Sequence, residues 1–307
     1  MLNYISQRLL QAIPVIIGIS LLTFAMLHLV PGDPVKLMLS EFQTSPEQIA
    51  LLRSQLHFDD PLPVQFGRYV VNALHGDLGY SIRSKRPVTT EIAENLPSTL
   101  QLAVAGLFVA ILVGVVLGII SAVKHHTWFD AGAMSIALLG VSMPSFWLGL
   151  LLIFLFSLRF RLFPATGGGD WQHLVLPALT LGLASAAIVA RLTRSSMLEV
   201  MGREYITTAR AKGVKEHSVI LGHGLRNALI PLITIIGLQF GQLLAGAVIV
   251  ETVFSRPGIG RLIVDAILNK DFPVVQGVVL VVATSYVVVN LLVDLVYGVA
   301  DPRIRHG

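Results

Sequence analysis

The chain has 307 residues, of which 54% are hydrophobic and only 13% are charged, with 22 Lys and Arg against 18 Asp and Glu. A soluble domain carries about 25% charged residues; this chain has too few to clothe a solvated surface, and its net charge of +4 makes no basic patch, so an ordinary cytosolic enzyme, a disordered chain and a nucleic-acid binder are excluded. Cys is absent, which removes disulfides, thiolate catalysis and Cys-ligated metals.

Six stretches lack Asp, Glu, Lys and Arg: Leu9–Val30, Thr99–Val123, Ala131–Leu158, Leu174–Ala190, Asn227–Val250 and Phe272–Val293. A helix needs roughly 20 apolar residues to cross the hydrocarbon layer. Five of the six reach that length, and the mixed residues beside His173 extend the fourth. In lipid each backbone N–H and C=O must find a partner within its own segment, so the spans are predicted to be helices. The predicted fold class is an all-α membrane protein with six transmembrane helices and a long loop after the first.

Residues 1–30 form the first span. Arg8 precedes its apolar run, as in a signal peptide, but the run is too long and no small-residue cleavage site follows, so the span is read as retained. Residues 31–98 form an extracytoplasmic loop, predicted to cap the outer end of the spans. It opens on Pro31-Gly32-Asp33-Pro34, a turn signal, has a helix start at Thr44-Ser45-Pro46-Glu47-Gln48, and passes through Gly76-Asp77-Leu78-Gly79. Arg83, Lys85 and Arg86 make a small basic run, solvated or in contact with an anionic ligand or partner.

Residues 99–300 hold the remaining five spans. Gly114-x-x-x-Gly118 and Gly237-x-x-x-Gly241 are small-residue faces that permit close helix approach. Met143-Pro144 lies mid-span and predicts a kink. Ser142, Met143, Ser145, Gln239, Gln242 and Asn290 are the candidates to line a polar pathway. Asp294 is the sole formal charge inside a span; an ion pair with Arg191 or Arg194 would tie span six to span four. Of the nine His, His125 and His126 are adjacent and diverge on a helix, while His28 alone lies near a plausible route. No metal site is predicted.

Six spans place both termini on one side. That side, with the turn 124–130, the segment 191–226 and the tail 301–307, carries eleven Lys and Arg, against five in the short opposite loops 159–173 and 251–271. The positive-inside rule therefore predicts cytoplasmic termini. Within 191–226, the residues Arg203, Glu204, Tyr205, Thr208, Ala209, Arg210, Ala211, Lys212 and Gly213 read as a short amphipathic helix with a glycine stop. Docking into a partner's groove and lying on anionic lipid both fit this pattern.

Thr208-Ala209-Arg210-Ala211-Lys212-Gly213, followed by Leu225-Arg226-Asn227-Ala228-Leu229-Ile230-Pro231, resembles the "EAA" cytoplasmic loop of ABC importer permeases. Pro31-Gly32-Asp33-Pro34, Gly76-Asp77-Leu78-Gly79 with Arg86-Pro87-Val88, Phe254-Ser255-Arg256-Pro257-Gly258-Ile259-Gly260-Arg261 and Asp301-Pro302-Arg303-Ile304-Arg305 narrow the resemblance to the peptide/nickel permeases, in order over the whole chain. Two departures stand out: Thr207 occupies the general pattern's Glu position, with Glu204 nearby, and the Gly213-to-Pro231 spacing is longer.

The resemblance implies the type I importer permease fold and one half of a translocation pathway in a bacterial or archaeal inner membrane. It implies a homologous second permease, two cytoplasmic ATPase subunits coupled through helix 203–213, and an extracytoplasmic solute-binding protein. The sequence has no G-x-x-x-x-G-K-[ST], H-E-x-x-H or G-x-S-x-G. The chain is thus not expected to be an enzyme or to bind a cofactor; ATP and Mg would sit on the partner subunits, and membrane lipid would surround the spans. The implied solute is a di- or oligopeptide, with nickel or a metal chelate as the alternative. A secondary transporter or channel is the alternative of another class, but the span centres lack its ionisable groups.

Overall fold

The computed structural model describes residues 2–29, 33, 35–36, 45–55 and 57–300, with side chains at all of these except 2–7, 9, 48, 52, 55, 230, 234 and 294–300. Of the predicted turn at 31–34 only Asp33 is among them, and the tail 301–307 lies outside. Among the described residues the chain is helical, with one isolated antiparallel bridge, Tyr80 to Pro87. In chain order the helices are α1 (Leu2–Leu29), α2 (Pro46–Gln55), α3 (Leu62–Leu74), α4 (Val88–Val123), α5 (Trp128–Ser142) and α6 (Ser145–Leu152). There follow α7 (Gln172–Met201), α8 (Glu204–Ala211), α9 (Arg226–Val253), α10 (Ile259–Leu268) and α11 (Phe272–Ala300). Among the described residues five helices are long and apolar enough to cross a membrane, and a sixth span arises if the bent pair of α5 with residues 145–159 counts as one.

That pair corrects the reading of 131–158 as one kinked helix. The second half is bent by 108° from the line of the first. Pro144 has no N–H to donate and pushes Met143 out of the helical region. Both residues are extended, with ψ of 130° and 134°, and two such residues in succession end a helix. Past Leu152 the chain continues as a π-helical stretch, Ile153–Arg159. Two other boundaries move. The second span's helix starts at Val88, so residues 88–98 of the predicted loop are its first turns. The short fourth span is part of a 30-residue helix, α7, which carries Arg191, Arg194 and Glu199 in its last turns.

The chain divides into two compact units, Met1–Ser98 with Gly258–Val288 and Thr99–Pro257 with Val289–Gly307. In the first, Val88, Ile92, Ile259, Val274 and Val278 form an apolar core. The Asp271 carboxylate secures the turn beside it, accepting from Ser81 Oγ at 2.5 Å, the Ile82 N–H at 3.2 Å and the Arg83 N–H at 3.3 Å. Residues 258–288 thereby group with the first span and the loop region.

In the second unit α7 is the central helix, packed against α5, α6 and α9. The predicted Gly114/Gly118 face meets α7: an added methyl would lie 2.6 Å from Val189 Cβ at Gly114 and 2.5 Å from Thr193 Cβ at Gly118. Gly182 on α7 approaches the Gly106 carbonyl oxygen so closely that an added Cβ would stand 2.5 Å from it. Lipid supplies no hydrophobic drive between helices, so this contact depends on backbone proximity. Gly237 likewise faces Val293, 2.2 Å from where its Cβ would be. The apolar core centres on Phe254, 1% exposed, with Leu102, Leu176, Leu243 and Val250.

Candidate functional site

The segment 203–213 is an exposed helix between two spans. Arg203 is the extended residue before it, Glu204 opens its first turn, and the helix ends at Ala211. Gly213 closes it at φ +76°. The Gly213 N–H donates to the Arg210 carbonyl at 2.9 Å and the Val214 N–H to that of Ala209 at 3.2 Å. These are the two bonds of a Schellman closure, which needs a left-handed residue where they turn. The glycine stop in the sequence is thus realised in the backbone.

Ile206 alone in α8 is buried; Ala209 is half-buried, while Arg203, Glu204, Tyr205, Thr208, Arg210, Ala211, Lys212 and Gly213 face outward. α8 rests on a π-helical stretch, Val219–Leu225, reached through the single turn Glu216–Ser218. That stretch runs directly into α9, so the predicted second half of the loop is the extension of a span helix. Near its end Gly224 admits Met201 Sδ, 3.0 Å from where a Cβ would stand, and Met197 Cε at 3.2 Å. The ends of α7 and α9 thus grip each other beneath α8.

Thr208 Oγ1 donates to the Glu204 carbonyl at 3.0 Å, and Arg203 pairs with Glu199 one turn earlier. Arg210 donates to Glu216 through Nη2 at 2.7 Å and Nε at 3.1 Å. These bonds raise Arg210 and lower Glu216 from their ordinary values. Because Glu216 is lowered in the folded chain, the pair's contribution is present above the unfolded carboxylate value and is lost as pH falls through the folded one. Both side chains are about half exposed, so screening leaves little stabilisation. Glu216→Gln is expected to leave the unfolding temperature unmoved while freeing Arg210, checked by thermal unfolding at neutral and acid pH.

The ion pair predicted for Arg191 or Arg194 with Asp294 has a different outcome at Arg194. Arg194 binds Asp130, Nε to Oδ1 at 2.7 Å and Nη2 to Oδ2 at 2.8 Å. The Asp294 side chain lies outside the described residues, and Arg191 is exposed at the surface of α7. Asp130, at the start of α5, was missed because it sits next to the turn and reads as a solvated loop acid; its signal is an acid in a helix's first turn. His125 and His126 also differ from expectation. They occupy a turn rather than a helix, His126 at φ +61°, and their rings stack with centroids 3.6 Å apart.

The pathway candidates fall on four helices and the break. Ser142 ends α5 and donates to the Leu138 carbonyl at 2.9 Å; Met143 is the break residue and Ser145 begins α6. On α9 Gln239 is buried and Gln242 exposed. Asn290 on α11 is half-buried, and its Oδ1 accepts no hydrogen bond among the described residues. His28 lines a cavity of about 220 Å³ in the first unit with Phe24, Phe58, Gln65 and Tyr69, its Nε2 lying 3.1 Å from Gln65 Oε1. Among the described residues no group of three or more His, Asp or Glu is placed to hold a metal.

Two buried charged residues stand near each other in the chain and were not singled out from the sequence. Glu251 is fully buried and accepts from Thr99 Oγ1 at 2.6 Å. Arg256, 3% exposed, donates to Gln101 Oε1 at 2.9 Å. Burial pushes Arg256 down from its ordinary value and the Glu251 charge opposes that shift. The motif 254–261 contains Arg256, but its burial is a tertiary property.

Long apolar helices, with one exposed helix between two of them, define a multi-pass membrane protein. The profile of the family described as "Binding-protein-dependent transport system inner membrane component" matches residues 114–306, and that of the corresponding N-terminal membrane component matches residues 1–103. The chain belongs to this family, and it is an ABC importer permease of the peptide-transporter type. It is 46% identical to the dipeptide transport system permease protein DppB of Escherichia coli (strain K12), covering 100% of this chain and 99% of that protein. It is also 46% identical to the glutathione transport system permease protein GsiC of Salmonella paratyphi A, over 100% of both. The inward-facing MetNI methionine ABC transporter shares the fold at a TM-score of 0.60 and 16% identity, over 68% of this chain and 96% of that one.

Proposed function

We propose that this chain forms half of the translocation pathway of an ATP-driven importer and is driven through α8. α8 docks in a cleft of one of two cytoplasmic ATPase subunits, which hold ATP and Mg. A homologous permease supplies the other half of the pathway, and an extracytoplasmic binding protein delivers the solute. Both termini then face the cytoplasm of a bacterial or archaeal cell. The observation that carries this reading is a closed, outward-facing helix joined by short turns at 202–203 and 212–215 to α7 and to the helical extension of α9. Motion of such a docked element is handed to both spans through these short connections.

The solute is a di- or oligopeptide, a reading supported by the dipeptide and glutathione relatives. The test is co-purification and uptake. Native chain is expected to retain the ATPase subunits; Arg210→Glu and Gly213→Pro are expected to release them while the spans stay inserted. Proteoliposomes of the full assembly are then offered a dipeptide, glutathione and nickel. Uptake by the chain without ATPase subunits would replace this reading with a secondary transporter, and uptake of nickel alone would replace the peptide.

A further inference from the structure

We propose that Asp130 and Arg194 form a strut that makes α4, α5 and the helix leading into α8 move as one body; the proposal rests on the coupling role of α8. Asp130 is 7% exposed and collects donors from three places. Arg194 on α7 gives two N–H bonds, Nε at 2.7 Å and Nη2 at 2.8 Å. Ser121 Oγ, near the end of α4, donates to Oδ1, and the His126 N–H donates to Oδ2 at 3.2 Å from the turn between α4 and α5. His125 Nδ1 lies 3.1 Å from Arg194 Nη2 and 3.3 Å from Asp130 Oδ2.

The placement matters because small-residue contacts alone do not set axial register. Gly118 lies against Thr193, one residue from Arg194, and such smooth faces can slide past each other. A bidentate guanidinium–carboxylate pair fixes distance and direction together. Sliding α7 by one turn, about 5.4 Å, would break both Arg194 bonds to Asp130 at once. An apolar pair would hold the helices together as firmly without that register, since a buried ion pair is weak evidence for stability as such. Arg194 is seven residues before the end of α7 at Met201, about 11 Å along the helix axis. A push delivered at α8 therefore reaches the strut before the middle of the span. Asp130 and Arg194 are positioning residues, touching neither solute nor nucleotide.

The experiment uses the assembled importer in proteoliposomes, with Asp130→Asn, Arg194→Lys and the exchange Asp130→Arg with Arg194→Asp. Because the chain has no Cys, spin labels at Val123→Cys and Ser195→Cys, both exposed, report the α4–α7 distance. Asp130→Asn is expected to keep its ATPase subunits and ATP hydrolysis while uptake per ATP falls about tenfold, within the usual span of coupling between sites. The label distance, single with and without nucleotide in the native chain, is expected to split in that variant. Arg194→Lys keeps the charge but loses the fork; it should fall in between, and it carries the test if Asp130→Asn does not fold. The exchange should recover part of the coupling. Native uptake per ATP with an unsplit distance in Arg194→Lys and Asp130→Asn overturns the strut, as does a loss of thermal stability alone. ATPase subunits that fail to bind the unsubstituted chain would instead overturn the role of α8, while the label distance in the purified chain still reads the strut.

Discussion

Gly118→Leu is expected to prevent α4 and α7 from packing and to give an aggregated or strongly destabilised protein. A Cβ at Gly118 would stand 2.5 Å from Thr193 Cβ and 2.7 Å from the Ala190 carbonyl oxygen. The second obstacle is backbone, which cannot rotate aside, so the helices must separate. Overpacking costs typically about 1–3 kcal/mol and more where nothing can yield. Separation would also expose Thr193 and Ser121, both buried, and pull at the bonds to Asp130. Gly132→Leu is the matched control, since a Cβ there meets nothing within 4 Å. Size-exclusion profiles and thermal unfolding of the two variants decide the matter. Equal behaviour would mean that α4 and α7 do not approach as closely as described.

Glu251→Ala is expected to destabilise the second unit by about 1–3 kcal/mol, the usual cost of leaving a buried donor, here Thr99, without its acceptor. Glu251 is fully buried and holds Thr99 at 2.6 Å, and it is the charge opposing the desolvation of Arg256. Without it a guanidinium with 3% exposure is left uncompensated. Glu251→Gln retains an acceptor for Thr99 and should lose less. Adding Arg256→Met to Glu251→Ala should return much of the loss, because the orphaned charge goes with it. Denaturation of the three variants in detergent measures the series. A Glu251→Ala protein as stable as the native one would show that the buried carboxylate carries no net weight.

The residues of α8 and its ending were legible in the chain. Gly213 sits where only a left-handed residue closes the helix, and that requirement is local. The apolar runs were legible as helices for a similar reason, since the solvent and the backbone's own hydrogen bonds settle the matter within each segment. Pro144 announced a disturbance but not its size. The removal of one N–H and the extended bias on Met143 are local, whereas the 108° angle depends on what each half packs against.

The charged residues were the least legible. Arg194 has Asp130 as its partner, 64 positions away, and nothing in the sequence ranks that acid above Asp294. The choice follows from α4, α5 and α7 lying together, which in turn rests on Gly114, Gly118 and Gly182 letting backbones touch. By itself, then, the sequence determined the lipid-spanning helices, the family and the protruding helix, all consequences of short-range chemistry along one chain. Only the tertiary structure decided which charges are buried and with whom they pair. A carboxylate's partner is chosen by proximity in space and by the loss of water around it, and both exist only once the helices have come together.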